Sequence, residues 1–353
     1  MYAEMTYAEV KDRDDIVWID VRSDGEFAES TIPGAHNVAL FDNEERAHIG
    51  TLYKQVDPMS ARWAGLEFAS RKLPALVRQI TELANGRTPV VFCWRGGMRS
   101  QTVATILQLM GLPVIRLTGG YRGYRHYVTH RLEAMTAEDL PPVFVVHGMT
   151  GVGKTTLLRL LAELGEPVLD LEGLAGHRGS VFGGIGLTPA NQRQFDSELL
   201  AAIEALRDQP YLLMEAESKR IGHVTMPGFL VEAKRTAINV ELVAPISIRI
   251  MRTLEQYQLA DDVAFHRATE RAIVFIQKRF SPDLRQRVNA WMEAKAYAPM
   301  VGALLEEYYD PRYEYARRDY DRPFLKVDAT HLVEAAEKIQ QELLRYRANV
   351  VTS

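Results

Sequence analysis

A single cysteine, Cys93, stands among 353 residues. That excludes an intramolecular disulfide and any metal site built on several thiolates, and it suits a reducing compartment. No apolar run approaches the roughly 20 residues that a bilayer-spanning helix needs. The opening stretch, MYAEMTYAEV, lacks the basic start and apolar core of a secretory signal. The expected location is therefore cytoplasmic, with no membrane partner. Charge of one sign is lacking too: 42 basic against 46 acidic residues leave −4. This excludes a generally basic polyanion binder but not a local basic patch. No internal repeat or low-complexity tract is visible, so solenoid and fibrous classes drop out. The remainder, 47% apolar and 25% charged, is an ordinary globular composition in a chain long enough for two cores.

Strand-like runs at 16–21 (IVWIDV), 89–93 (PVVFC) and 114–117 (VIRL) alternate with helical periodicity at 67–83 and 99–110. Such alternation implies a parallel sheet covered on both faces. The polar stretch 133–142 ends in two prolines and divides the chain into domains 1–135 and 136–353. The second half opens on VFVVHG (143–148), with further strands expected at 167–171, 211–215, 240–248 and 323–328. Residues from about 253 to 310 carry a helical pattern. The expected fold is α/β in both halves, with a helical part toward the C-terminus.

Cys93 sits in VVFCWRGGMRSQT, at the end of a strand and just before a helix, where parallel sheets place their ligands. Glycines let backbone N–H groups turn inward, and the helix start adds positive potential. An ordinary thiol is only about 3% ionised at pH 7. Arg95 and Arg99, with the helix start, favour its thiolate and hold an anion. The catalytic candidates are therefore Cys93, Arg95 and Arg99. DVRSDGEF (20–27) and STIPGAHNV (30–38) resemble the opening motifs of rhodanese sulfurtransferase domains over about residues 5–130, with Cys93 at that family's persulfide-forming position. The spacing Cys93-x5-Arg99-Ser100 is also the signature of cysteine phosphatases, and a longer loop fits a larger tetrahedral anion. The loop alone leaves sulfur-type transfer and phosphate-ester hydrolysis both open.

The second half carries Gly148-x4-Gly153-Lys154-Thr155 between an apolar strand and the helical TTLLRLLAEL, a complete Walker A pattern in its proper context. The expected phosphate-binding residues are Gly148, Thr150, Gly151, Val152, Gly153, Lys154, Thr155 and Thr156, with Thr155 able to hold Mg²⁺. Glu215 or Glu217 could take the acidic role beyond the next strand, and Asp170 and Glu172 could hold a metal or a substrate hydroxyl. No base-reading motif accompanies the loop, so the need for a nucleotide or for Mg²⁺ stays open at this point.

The pairing of the two halves resembles one family, the tRNA 2-selenouridine synthases. The likeness rests on FCWRGGMRS, GGYRGYR (119–125), HGMTGVGKT, LDLEGLAGHRGSVFGG (169–184) and EAESKRIG (215–222), and it runs over essentially the whole chain. It implies a rhodanese-like domain followed by a P-loop NTPase-like domain. It also implies exchange of sulfur for selenium at the 2-position of wobble 2-thiouridine in tRNA. The implied substrates are selenophosphate and geranyl diphosphate, with an S-geranylated intermediate and a selenophosphate-producing enzyme as an expected partner. On this reading Cys93 handles the selenium as a Cys–Se–H adduct, discharged by the tRNA or an outside thiol. The candidate tRNA contacts are Arg122 and Arg125 among the tyrosines of 119–131, then His177, Arg178 and Ser180, and then Arg249 and Arg252 at the end of the 240–248 strand. For 119–131 a solvated helix with its tyrosines packed on the sheet is the equal alternative. The run 308–322, with balanced charge, reads as a self-paired surface loop. The rival functions are a sulfurtransferase with an NTP-driven regulatory or kinase half, and a non-enzymatic RNA adaptor.

Overall fold

Short, β-branched strands alternate with amphipathic helices, so each strand's N–H and C=O groups find partners only in neighbours brought alongside by a helical crossover. The computed structural model describes residues 2–257, 262–317 and 323–351. The chain divides into two compact units. One runs to Ala134 and includes Asp196–Leu200; the other holds Met135–Phe195 and the chain from Ala201 on.

In the first unit β1 (Ala3–Met5), β2 (Ile16–Asp20), β3 (His36–Asn37), β4 (Thr88–Phe92) and β5 (Ile115–Leu117) form one sheet in the order β1-β5-β4-β2-β3. Every pairing in it is parallel. The helices are α1 (Tyr7–Val10), α2 (Asp24–Glu29), α3 (Asn43–Gln55), α4 (Pro58–Ala84), α5 (Met98–Leu109) and α6 (Gly120–Ala134). Val17, Ile19 and Val91 of the sheet pack with Leu76, Val77 and Ile80 of α4 and with Val103 and Leu107 of α5. The α4 helix begins well before the periodic stretch at 67. Asp57 caps it by accepting the Met59 and Ser60 N–H groups (2.7 and 2.9 Å), and Pro58 needs no partner in the first turn.

In the second unit β6 (Val143–His147), β7 (Val168–Leu169), β8 (Leu212–Glu215), a β9–β10 hairpin (Arg220–Ile221, Val224–Thr225), β11 (Ile238–Val243) and β12 (Phe324–Asp328) follow in chain order. The main sheet runs β12-β11-β6-β8-β7, again parallel throughout. Its helices are α7 (Lys154–Glu163), α8 (Leu171–Ala175), α9 (Gln192–Leu206), α10 (Gly228–Thr236) and α11 (Ile246–Tyr257). They continue with α12 (Asp262–Ile276), α13 (Pro282–Glu293), α14 (Tyr297–Leu304), α15 (Asp310–Arg317) and α16 (Leu332–Val351). A π-helical turn, Leu305–Tyr309, joins α14 to α15. A second apolar cluster, including Ile276, Phe280, Val288, Met300, Leu304 and Tyr308, gives the helical part its own core.

Two strand expectations are corrected. The strand expected over 167–171 stops at Leu169, because Asp170 turns to cap α8, accepting the Gly173 N–H at 2.7 Å. The strand expected over 240–248 stops at Val243. Pro245 has no N–H for the ladder, and its carbonyl instead accepts from Ile248 and Arg249 to start α11. Arg249 and Arg252 therefore lie on a helix. Of the run 308–322, residues up to 317 are helical and 318–322 lie outside the described residues. Among the described residues no helix is long and apolar enough to cross a membrane.

Candidate active site

In the first unit β4 delivers Cys93 into the turn that precedes α5. The thiol is buried, 3% exposed, with Sγ 3.3 Å from Ser100 Oγ. The start of α6 closes the turn from outside: the Tyr121 N–H donates to the Cys93 carbonyl (2.8 Å) and the Arg122 N–H to the Trp94 carbonyl (2.9 Å). This approach requires glycine at 120, which has φ +57°; a Cβ there would lie 2.2 Å from the Cys93 oxygen and 2.4 Å from the Gly96 nitrogen. Gly120 of GGYRGYR thus serves the thiol turn. Arg116 ties the same turn by donating to the Gly96 carbonyl.

The arginines of the turn have different surroundings. Arg99 donates from both terminal nitrogens to the Glu26 carboxylate, at 2.6 and 3.3 Å. Burial alone would raise the Glu26 pKa, but Arg99, helped by Arg46 and the Ser23 cap, outweighs it and holds the carboxyl below its ordinary value. Arg95 is exposed on the rim. Tyr121 and Tyr124 are buried, and the buried Arg22, paired with Asp20 at 2.6 Å, lies 4.1 Å from the Tyr121 ring centre. Tyr121 and Tyr124 thus pack inward, while Tyr127 is half-buried. On the same helix Arg122 is exposed, while Arg125 pairs with Asp196 (2.9 Å) of the same unit. Glu26, Ser100 and the Asp20–Arg22 pair were missing from the candidates. DVRSDGEF contains three of them and was the signal available.

In the second unit residues Gly148–Thr156 turn from β6 into α7. Gly151, at φ +79°, lets α11 approach: a Cβ there would sit 2.6 Å from the Arg249 carbonyl oxygen. Arg249 is buried, donates from Nε to the Thr150 carbonyl (2.9 Å) and makes two bonds to Asp310 (2.9 and 2.6 Å). Arg252 donates to the carbonyls of Val152 (2.7 Å) and Thr330 (3.0 Å). Both arginines thus brace the loop's backbone: Arg249 is buried in doing so, and Arg252 is half-buried. Lys154 Nζ donates to the Gly148 carbonyl (2.7 Å), and Thr155 Oγ1 to Glu172 (2.6 Å).

The acids separate by burial. Glu215 is fully buried, accepts the Leu171 N–H (3.1 Å) and has its pKa pushed well up, first by burial and then by Asp170 and Glu172. Glu172 is pushed up to about 7, by burial and then by the charge of Glu217, against the pull of Thr155 and Lys154. Among the described residues no three His, Cys, Asp or Glu side chains are arranged to hold a metal ion. A divalent cation on the loop would take Thr155 Oγ1 and Glu172.

A cleft of about 1020 Å³, counting its open mouth, is lined by the phosphate loop with Glu172, Arg178, Glu217, Gln256 and Tyr313. Arg178 lies over the Tyr257 ring at 5.2 Å, and Ser180 Oγ is 2.9 Å from the Tyr257 hydroxyl. The His177 ring is half-buried under Gly222, and burial with the nearby His223 lowers its pKa. Beside the cleft is a second cavity, about 540 Å³ counted the same way. Thr150, Ser180, Thr253, Tyr257 and Tyr309 line both. Apart from Thr269, the rest of the second cavity is walled by apolar and aromatic groups such as Phe182, Phe265, Met300 and Leu304. No sequence signal foretold it, because its walls come from the phosphate loop, loop 177–185 and three separate helical segments, α11, α12 and α14 with its π-helical turn. Chemically the pair of cavities suits a ligand with a phosphorylated head and an apolar tail.

Family models place this chain among known proteins. Residues 141–343 match the tRNA 2-selenouridine synthase AAA domain, and residues 5–127 match the rhodanese-like domain. The chain is 33% identical over 323 residues to the tRNA 2-selenouridine synthase of Hydrogenovibrio crunogenus, covering 84% of this chain and 88% of the relative. It is 33% identical over 337 residues to that of Cronobacter sakazakii (85% and 86%) and 32% identical over 330 residues to that of a Sulfurovum species (84% and 87%). The chain belongs to the tRNA 2-selenouridine synthase family.

Proposed function

We propose that this family member replaces sulfur by selenium at the 2-position of a wobble 2-thiouridine in tRNA, through an S-geranylated intermediate. Its other substrates are geranyl diphosphate and selenophosphate. The observation that carries this reading is the apolar cavity opening directly off the phosphate loop. A nucleotide base would bring hydrogen-bonding edges against Phe182, Phe265, Met300 and Leu304, which offer no partners. A prenyl chain meets that wall without loss, while its diphosphate reaches Lys154 and the loop's N–H groups. Geranylation turns a thione into a thioether, from which a stable thiolate can leave when selenium attacks. Cys93, with Arg95 and Arg99, serves the selenium donor, a tetrahedral anion. A selenophosphate-producing enzyme is the expected upstream partner.

The test is to incubate the protein with 2-thiouridine tRNA, geranyl diphosphate and selenophosphate and to analyse the nucleosides by mass. S-geranyl-2-thiouridine should appear before 2-selenouridine, without any nucleoside triphosphate. Cys93→Ser should abolish selenation and leave geranylation intact. ATP hydrolysis with a sulfur product, and no use of geranyl diphosphate or selenophosphate, would instead favour a sulfurtransferase with an NTP-driven half.

A further inference from the structure

We infer that the Cys93 sulfur attacks the phosphorus of selenophosphate, not its selenium, forming a cysteinyl phosphate and releasing hydroselenide. This rests on the selenophosphate reading above and replaces the Cys–Se–H adduct with a different covalent intermediate. The argument begins with electrons. Selenium in selenophosphate is bonded only to phosphorus and is at the selenide level. Selenium in 2-selenouridine, where C=Se stands in place of C=S, is at that same level. The overall exchange is therefore not a redox reaction. A Cys–Se–H adduct contains a sulfur–selenium bond, so forming it removes two electrons from selenium, and discharging it as selenide returns them. That demands an oxidant and then a reductant, and the chain has one cysteine and hence no resolving thiol.

Attack at phosphorus needs neither. The S–P bond forms as the P–Se bond breaks, and the bonding pair leaves with selenium as hydroselenide. Water then attacks phosphorus, the S–P pair returns to Cys93, and inorganic phosphate departs with the water's proton passing to solvent. Hydroselenide attacks C2 of the S-geranylated base, geranylthiolate leaves, and the Se–H proton ends on N3. Each atom and electron pair is accounted for with water as the only added reactant.

The turn is built for a phosphoryl group. Five residues separate Cys93 from Arg99, Gly96 and Gly97 bring the backbone close, and α5 begins at Met98. Glu26 fixes the Arg99 guanidinium with two hydrogen bonds, at 2.6 and 3.3 Å. Ser100 is fully buried, and its Oγ lies 3.3 Å from Sγ and 3.2 Å from the Gly97 carbonyl. Its hydroxyl can therefore swing from the carbonyl to the sulfur as charge returns there when the S–P bond breaks.

The experiment is a rapid quench of the full-length protein turning over selenophosphate with S-geranyl-2-thiouridine RNA. Selenophosphate is labelled in phosphorus in one run and in selenium in another, because the two adducts are nearly equal in mass. Phosphorus label on the wild-type protein, none on Cys93→Ser, and no selenium label is the expected result. In Ser100→Ala the phosphorus label should persist at least about ten-fold longer. Selenium held on the protein without phosphorus, or neither label captured during turnover, overturns the inference. Failure of the wild type to make 2-selenouridine in the same run would instead overturn the selenophosphate reading beneath it.

Discussion

Gly120→Ala is the sharpest test of how the thiol turn is held. A left-handed backbone costs a non-glycine residue about 1–2 kcal/mol. The added Cβ also cannot stay 2.2 Å from the Cys93 oxygen and 2.4 Å from the Gly96 nitrogen, so α6 must withdraw. Withdrawal breaks the Tyr121-to-Cys93 and Arg122-to-Trp94 bonds, worth about 1 kcal/mol each. The first unit should therefore lose about 3–4 kcal/mol, a fall of roughly 10 °C or more in its melting temperature. Displacement of the Cys93 backbone by about an ångström should lower selenation of S-geranylated RNA about 100-fold. Gly86→Ala is the control, since Gly86 has φ +85° but nothing within 4 Å of a Cβ; it should pay only the backbone cost and keep full activity. Tryptophan fluorescence on heating and the single-turnover selenation rate read the two effects. Equal behaviour of the two alanine variants in both assays would refute the account.

Arg249→Ala leaves Asp310 and the Thr150 carbonyl without their donor. It should destabilise the second unit by about 3 kcal/mol and weaken inorganic diphosphate binding, measured by calorimetry. Leu304→Trp fills the apolar cavity. Geranyl diphosphate should bind about ten-fold or more weakly while inorganic diphosphate changes by less than about two-fold, and parallel losses would argue against a tail pocket. Glu172 has its folded pKa raised to about 7 from 4.5, so the stability it contributes is full below about pH 4.5 and is lost as pH rises through 7. Glu172→Gln should remove that slope: wild type falls behind the variant by at most ~3 kcal/mol between pH 4.5 and 7, then stays parallel in urea melts. A gap that does not change across this range would show that Glu172 titrates elsewhere.

Much of the architecture was legible because its signals are local. Strand β6, the Gly148–Thr155 loop and α7 follow one another within 21 residues, so apolar run, glycine spacing and helical period could be read directly. The same holds for β4, Cys93 and α5. Where two local signals competed, the reading failed. The apolar run through residue 248 concealed Pro245, and strand became helix. The periodicity at 67–83 concealed the earlier start of α4, which depends on the Asp57 cap. In GGYRGYR the arginines and tyrosines suggest RNA contact by composition, whereas the close contact with Cys93 comes from Gly120, whose role no local pattern announces.

Residue order alone determined that there would be a thiol turn and a phosphate loop, each between a strand and a helix. Hydrophobic period and glycine placement act over a few residues and survive in any tertiary arrangement. Only the folded structure decided what surrounds them. Arg99 meets Glu26 across 73 positions of chain, Arg249 meets Thr150 across 99, and Arg252 meets Thr330 across 78. The walls of the apolar cavity converge from Thr150 to Tyr309. Such partners are chosen by which helix faces pack together, a property of the whole core that no local spacing encodes.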